Sequence, residues 1–572
     1  MKLHNVHTLP LKTWMTAVVL SLLAAALQAR DLAAEAMAEV EAETYADVEF
    51  DSTQMYSRLL IDSRLGDFYA NTTLMGLPVY DTAGALVQAG GKKLKFDYVP
   101  GLVAKAIIEA ADYYRDSTFA RPWFHSVEDY ACTFAASVPT TGGSLDNLNA
   151  AKMYCTLYDM TAPDGAFASV ADTATRTVAR TAMQRAVQGL RDANTTYVIQ
   201  SSTSEDAAGG WWHKKGYPNQ MWCDGQYMGP ALLAQLQHYG YHIASDTADW
   251  QTIVRQFDIT WHYLWDPDQR LLWHAFSADP TGSAASCWAD PQTGRSAEYW
   301  GRACGWYMLA LVDVIDLMPA GIDYWPTQTS LATYSTDARE RLGQYLALLA
   351  HGLKARQDDA TGCWYQLLAH DGTFSASSYG GKTYSETFNY LESSASAIFT
   401  AAYLKAIRLG LLPADEYLPM ARRAYRGLVE EFVKRKTDGT YTLVNSCASA
   451  GLGGSNKRDG SAAYYLLGSD VKRITTYTEG KVLGAFILAS VEYERLQQTS
   501  RPEPSAIRSI AADADRSPEG RNVGAHASAQ GGAQGKGPQT YTLSGVAVQG
   551  PVSGLAVDGG RVVGRFFPAV GR

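Results

Sequence analysis

Cysteine is scarce in this chain: seven residues, at 132, 155, 223, 287, 304, 363 and 447, are scattered over 572 positions. No Cys-x-x-Cys pair occurs, which argues against a structural zinc site, and the wide, odd-numbered spread fits small core residues better than a disulfide framework. No His-Glu-x-x-His run and no Gly-x-Ser-x-Gly elbow is present. Gly451-Leu452-Gly453-Gly454 lacks the Lys-Ser/Thr that a phosphate loop requires. The chain also lacks positive charge. Its net charge of −9 leaves no basic excess for nucleic acid. Long apolar runs are missing too, save Trp14 to Leu27. That run is too short for a comfortable membrane span. Lys2, His4 and Lys12 precede it and Gln28-Ala29-Arg30 follows, so it reads as a secretory signal over 1–29. Export to the periplasm or beyond the cell is therefore expected, with no stable membrane partner.

Aromatic side chains are plentiful: 34 Tyr and 14 Trp, in a chain that is 47% apolar and 19% charged. Many of them are expected at a surface or cleft, because their polar tips need partners. Residues 30–498 read as one domain, 499–540 as a disordered linker rich in Pro, Ser, Ala and Gly, and 541–572 as a small tail with β-like segments. Helical periodicity recurs at Leu102–Tyr114, Ala150–Tyr158, Pro230–Tyr239, Trp306–Leu317, Arg339–Leu353, Ser394–Leu409, Pro419–Val433 and Val482–Leu496. Thr173 to Ala193 reads as a polar helical insert. Strand patterns are few, and long aromatic loops, Trp265–Tyr299 and Ala355–Asn389, lie between helices. These features fit an all-α solenoid or toroid of helix pairs, with its loops gathered at one rim.

Gly209 to Leu236 places Asp224 among Trp211, Trp212, Tyr217, Trp222 and Tyr227, just ahead of an apolar helical run. Sugar rings stack on such side chains, and a carboxylic acid held against apolar surface can donate a proton near neutral pH. Three more segments set polar residues at a helix start: Phe96 to Gly101 with Tyr98, Ser144 to Asn149 with Asp146, and Tyr299 to Trp306 with Arg302. Asp146 and Asp224 form a candidate pair. Glycosidases commonly use two carboxyls, about 5–5.5 Å or about 6.5–9.5 Å apart. Each aspartate also fits a plain helix cap. His274, between apolar neighbours, fits a hydrogen-bonded core residue as well as a catalyst. Arg302 suits either bidentate carboxylate binding or a structural salt bridge. Asp358 to Gly362 reads as a solvated turn. No metal and no cofactor is expected.

Together these blocks resemble the unsaturated glucuronyl and rhamnogalacturonyl hydrolases, glycoside hydrolase families 88 and 105, with family 105 the nearer. The likeness rests on four blocks: His213 to Met228 (H-K-x-x-Y-P-x-Q-M-W-x-D-G-x-Y-M), Trp300 to Trp306 (W-G-R-A-C-G-W), Tyr390 to Phe399, and Ala450 to Tyr465. It runs from about Phe96 to Glu494. The resemblance implies an (α/α)6 barrel, a six-hairpin toroid. It implies removal of a 4,5-unsaturated uronic acid from the non-reducing end of lyase-generated oligosaccharides, pectic rhamnogalacturonan fragments foremost. Asp224 would protonate C4 and water would add at C5. Asp146 would be the second cleft aspartate. Tyr98, His213, His274, Arg302, Trp306 and one of Trp211 or Trp212 would line the unsaturated-sugar subsite. Two other readings compete: a barrel acting on saturated uronate glycans as glycosidase or lyase, and a non-catalytic glycan-binding protein.

Overall fold

The structure, a computed structural model, describes residues 45–455 and 458–497 with their side chains, and four short strands nearer the C-terminus by backbone alone. The signal segment 1–29 and nearly all of the linker 499–540 lie outside the described residues. The chain divides into two compact units, Met1–Ala506 and Ile507–Arg572. In the second, Thr540–Tyr541 pairs with Ala547–Val548 and Ala556–Asp558 with Arg561–Val563, both antiparallel.

In the first unit, outer and inner helices alternate. The outer α1 (Tyr56–Arg64) precedes the inner α2 (Tyr98–Tyr113). The outer α3 (Ala120–Phe134) precedes an inner rod of α4 (Leu145–Asn149) and α5 (Met153–Met160), joined by a 3-10 turn at Ala150–Lys152. The outer α6 (Thr175–Thr196) leads to an inner rod of α7 (Cys223–Met228) and α8 (Pro230–His238). Outer α9 (Asp246–Leu264), inner α10 (Gly301–Leu317), outer α11 (Ala338–Lys354), inner α12 (Ser393–Arg408) and outer α13 (Ala414–Gly427) follow. After the short α14 (Ala462–Leu467) comes the last inner helix, α15 (Gly480–Gln497). Each inner rod packs on the outer helix that follows it, and α15 packs on α1. The inner rods also meet each other in order, and α15 returns to α2. The result is the (α/α)6 toroid that the sequence predicts.

Hydrophobic periodicity separates the layers. The inner α10 is buried on every side from Gly301 to Ile315, as expected of a helix that is apolar all round. The outer α13 buries one stripe only: Tyr417, Met420, Ala421, Ala424, Tyr425 and Gly427. α6 does the same, burying Ala179, Ala182, Met183, Ala186, Leu190 and Ala193 while Arg180 and Arg191 stay exposed. It is therefore the third outer helix of the ring and not an insert. Close approach between inner rods requires glycine in two places. A Cβ at Gly101 would lie 2.4 Å from Ala150 Cβ, and one at Gly484 would lie 2.7 Å from Leu102 Cγ.

The ring closes chemically at Glu494 of α15. Its carboxyl accepts from Ser57 N at 3.0 Å and Ser57 Oγ at 2.6 Å on α1, and from the hydroxyl of Tyr114, just past α2, at 2.6 Å. Burial outweighs these donors and pushes its pKa up to about 7. An unfolded glutamate titrates near 4.3, so the folded state holds this proton more tightly. The contribution to stability is full below about pH 4.3 and is lost as pH rises through about 7, on the order of 3 kcal/mol in all. Glu494→Gln is expected to flatten this fall. Thermal melts of both proteins between about pH 5 and pH 8 should diverge; parallel profiles would contradict the assignment.

Candidate active site

The inner rods start at one end of the ring, and their first residues carry the polar groups that the sequence singled out. Asp97 caps α2 by accepting from Tyr98 N at 2.7 Å, which sets Tyr98 at the helix mouth. Ser144, not Asp146, caps α4, accepting from Asn147 N. Asp146, in the first turn, is thereby not used as a cap. α7 and α10 begin after Trp222 and Trp300, neither of which offers a side-chain cap. Loop carbonyls take over: Cys223 N donates to His274 O at 3.0 Å, and Gly301 N to Gln366 O at 3.0 Å. The long loops are thus tied to the helix mouths. The strand Gln220–Trp222 pairs with Ala275–Ser277, which brings His274 to the start of α7.

The two aspartates sit in contrasting surroundings. His213 Nε2 lies 3.1 Å from Asp146 Oδ1, and Lys214 Nζ lies 2.5 Å from Oδ2. Burial pushes the Asp146 carboxyl upward, but Lys214 and His213 together outweigh it and hold it well below the usual carboxylate range. Asp224 has neither cation nor cap. Its Oδ2 is buried without a hydrogen-bond partner, and His274 Nε2 stands 3.4 Å away. The imidazole of His213 stacks on Trp222 at 4.8 Å, and Trp222 meets His274 edge-on at 5.1 Å. One aromatic wall therefore connects the two acids.

Tyr98 joins them from across the ring. Its hydroxyl is buried without a partner and is pushed well above the usual tyrosine range by burial first; Arg302 draws it down, while Asp146 and Asp224 both raise it. Trp306 meets Tyr98 edge-on at 6.2 Å and stacks on Tyr227 at 4.6 Å. Lys152 supports this floor from below, its Nζ donating to the Tyr227 carbonyl at 2.5 Å.

Two expectations need correction. Trp211 does not face the site: it is 2% exposed, its indole N–H donates to Asn194 Oδ1 at 2.9 Å, and its ring packs on Gly229. Trp212 is the half-buried one of the pair, with an indole N–H that has no partner. Arg302 has two of its three nitrogens engaged within the fold. Its Nε donates to Ser394 Oγ at 2.7 Å, its Nη2 donates to the Cys447 carbonyl, and Glu392 Oε1 lies 3.6 Å from that nitrogen. Burial works against its charge, but Glu392 prevails and raises its pKa. Arg302 acts on the site as a buried positive charge.

Several supporting groups carry no sequence signal of their own: Lys214 on Asp146, Tyr465 on His274, Glu392 beneath Arg302, and the buried pair Lys481 and Glu479 at the start of α15. Lys214, Tyr465 and Glu392 stand inside the quoted blocks; what hides them is that each acts on another side chain. Among the described residues, no group of three or more His, Cys, Asp or Glu is arranged to hold a metal ion.

The profile of Glycosyl Hydrolase Family 88 matches residues 80–497. The chain belongs to glycosyl hydrolase family 88. A family 105 glycoside hydrolase from C. acetobutylicum superposes on this family 88 chain with a TM-score of 0.55 at 28% identity, over 77% of this chain and 100% of that one. A possible family 105 member from Salmonella enterica shares the fold, with a TM-score of 0.51 at 18% identity, over 79% of this chain and 96% of that one. The 24.9 kDa protein in picA locus of Rhizobium radiobacter is 36% identical over 184 residues, which is 31% of this chain and 66% of that relative. The chain thus spans 66% of that curated relative's length.

Proposed function

We propose that this enzyme removes a 4,5-unsaturated uronic acid from the non-reducing end of oligosaccharides released by polysaccharide lyases. The observation that carries this is the unequal state of the two acids. Asp146 is locked as an anion, one oxygen on His213 and the other on Lys214. An ordinary glycosidase needs its second carboxylate free to attack the sugar or to activate water. Here only Asp224 is unencumbered, which suits a reaction that needs one proton donor and a placed water. A vinyl ether is such a substrate, because its C4 is itself nucleophilic toward a proton.

In this mechanism Asp224 gives its proton to C4, and positive charge develops at C5, shared with the ring oxygen. Water adds at C5 and returns a proton to Asp224. The hemiketal opens to a ketone, and the hemiacetal left at C1 releases the remaining sugar as an alcohol. Asp146 holds ring hydroxyls and the water from the other side, and its fixed charge costs nothing to organise during the reaction. The half-buried Trp212 and Tyr98 stand nearest the sugar, and the fully buried Trp306 backs Tyr98. Arg302 contributes a positive field toward the uronate carboxylate. The likeness to the family 105 structure supports rhamnogalacturonan fragments as the substrate. The run from Trp14 to Leu27 supports an exported enzyme.

The test is a panel of lyase-generated disaccharides and their saturated counterparts. Incubation should erase the ultraviolet absorbance of the unsaturated uronate and release the neighbouring sugar, most rapidly with rhamnose as that sugar. Cleavage of the saturated compounds at a comparable rate would defeat the proposal.

A further inference from the structure

His274 is 0% exposed and makes two polar approaches. Its Nδ1 lies 2.6 Å from the Tyr465 hydroxyl, and its Nε2 lies 3.4 Å from Asp224 Oδ2. The ring is fixed between Trp222 and Trp300, at 5.1 and 4.8 Å, and Trp300 stacks in turn on Tyr465 at 6.1 Å. Tyr465 is no loose neighbour. It belongs to α14, capped by Ser461 Oγ on Tyr464 N at 3.2 Å, and its carbonyl accepts from Gln366 Nε2.

We propose that Tyr465 is a positioning residue of the acid: acting through His274, it decides which oxygen of Asp224 carries the proton. The inference rests on the reading of Asp224 as proton donor. A buried tyrosine keeps its proton and must donate it. Burial pushes the Tyr465 hydroxyl well above its usual range, and Nδ1 is the acceptor within reach. Nδ1 is then an acceptor, and the single N–H of a neutral imidazole falls on Nε2. In the resting structure that nitrogen stands 3.4 Å from Asp224 Oδ2, an approach without a formed hydrogen bond. A protonated Oδ2 would set its O–H against the Nε2–H that faces it at 3.4 Å, so the acidic proton is placed on Oδ1. Oδ2 is the buried oxygen, whereas the Asp224 side chain as a whole retains 13% exposure, which leaves Oδ1 toward the cleft. The opposite tautomer would direct the proton to Oδ2 and onto His274, away from any substrate. Once Oδ1 has given its proton to C4, the same N–H stabilises the carboxylate that remains.

Selective 15N-histidine NMR of the whole protein tests this, with the His274 signals assigned by their absence from His274→Asn. The resting enzyme should show Nε2 protonated and Nδ1 bare, and Tyr465→Phe should show a mixture. On an unsaturated disaccharide, Tyr465→Phe should lose roughly 10-fold in kcat, a part of what a general acid supplies, with KM nearly unchanged. A hydroxyl that merely held the fold would leave the tautomer alone. A resting enzyme with Nδ1 protonated overturns the proposal even if the variant fails to fold, and so does unchanged kcat in a folded variant. Should Asp224→Asn keep full turnover while the resting tautomer is as stated, the reading of Asp224 fails and the tautomer assignment stands.

Discussion

Asp224→Asn is expected to lower turnover of an unsaturated disaccharide by about 10³-fold or more, with binding changed little. The substitution keeps shape and hydrogen bonding but removes the one transferable proton. Asp224 is held by packing and not by ion pairs: its Oδ2 has no partner and its nearest polar neighbour is His274 at 3.4 Å. An amide therefore fits without breaking any network, and the variant should fold normally. Loss of turnover is followed by ultraviolet absorbance, and binding by calorimetry with the same disaccharide. If, as proposed, the remaining polar groups orient the sugar and do not transfer the proton, kcat should fall while KM stays close to its original value. Turnover at the original rate would remove Asp224 from the acid's role. The same experiment bears on the reading of a non-catalytic glycan-binding protein, since only a catalyst has a rate to lose.

The parts of this molecule legible in its sequence are those where one local pattern settles the structure. The continuous apolar runs of α10, α12 and α15 announce helices buried on every side, and they form the inner ring. The starts at Tyr98, Asp146, Asp224 and Arg302 were recognisable because polar residues stand there directly ahead of apolar runs. Outer helices were harder to see. α3 buries mainly aromatic rings, and α9 buries Asp249, Gln256, Asp258 and Thr260 among its apolar residues, so the period is blurred. The broken inner rods show helical periodicity in the sequence only in their second halves, because the 3-10 turn at Ala150–Lys152 and Pro230 interrupt the helical phase.

Aromatic tips deviate from expectation in an informative way. Many were expected near a surface, yet Trp123, Trp261, Trp300 and Trp364 are fully buried. Their N–H groups are satisfied inside, on Asp62, Tyr334, Gln366 and the Leu353 carbonyl. Trp306 is as deeply buried but its N–H has no partner among the described residues, and it is the one in contact with Tyr98. Composition cannot separate these cases, because the partner of each indole comes from a distant part of the chain. Arg302 follows the same logic: its glycine and alanine neighbours suggest an open guanidinium, whereas Ser394, Glu392 and Cys447 arrive from elsewhere to occupy it.

Lys214→Met should have the second largest effect, about 100-fold in kcat/KM, the scale of a misplaced positioning group. Lys214 contributes most to holding Asp146 charged against its burial, with His213 second. Removing it leaves a carboxylate that burial disfavours and one imidazole to hold it. The sign follows from linkage. The folded pKa of Asp146 lies below the unfolded value of about 3.9, so the pair stabilises the fold above that pH and the benefit fades as pH falls through the folded value. Without Lys214 the Asp146 carboxyl rises, and protonation begins at a higher pH as acid is added. The acid side of the pH–rate profile should move upward by at least one unit or so, and stability near neutral pH should fall. Asp146→Asn removes the charge that Lys214 serves, so Lys214→Met in that background should cost little more, a strong departure from additivity. An unmoved acid limb, or two independent losses, would mean that Lys214 meets the substrate directly and does not act through Asp146.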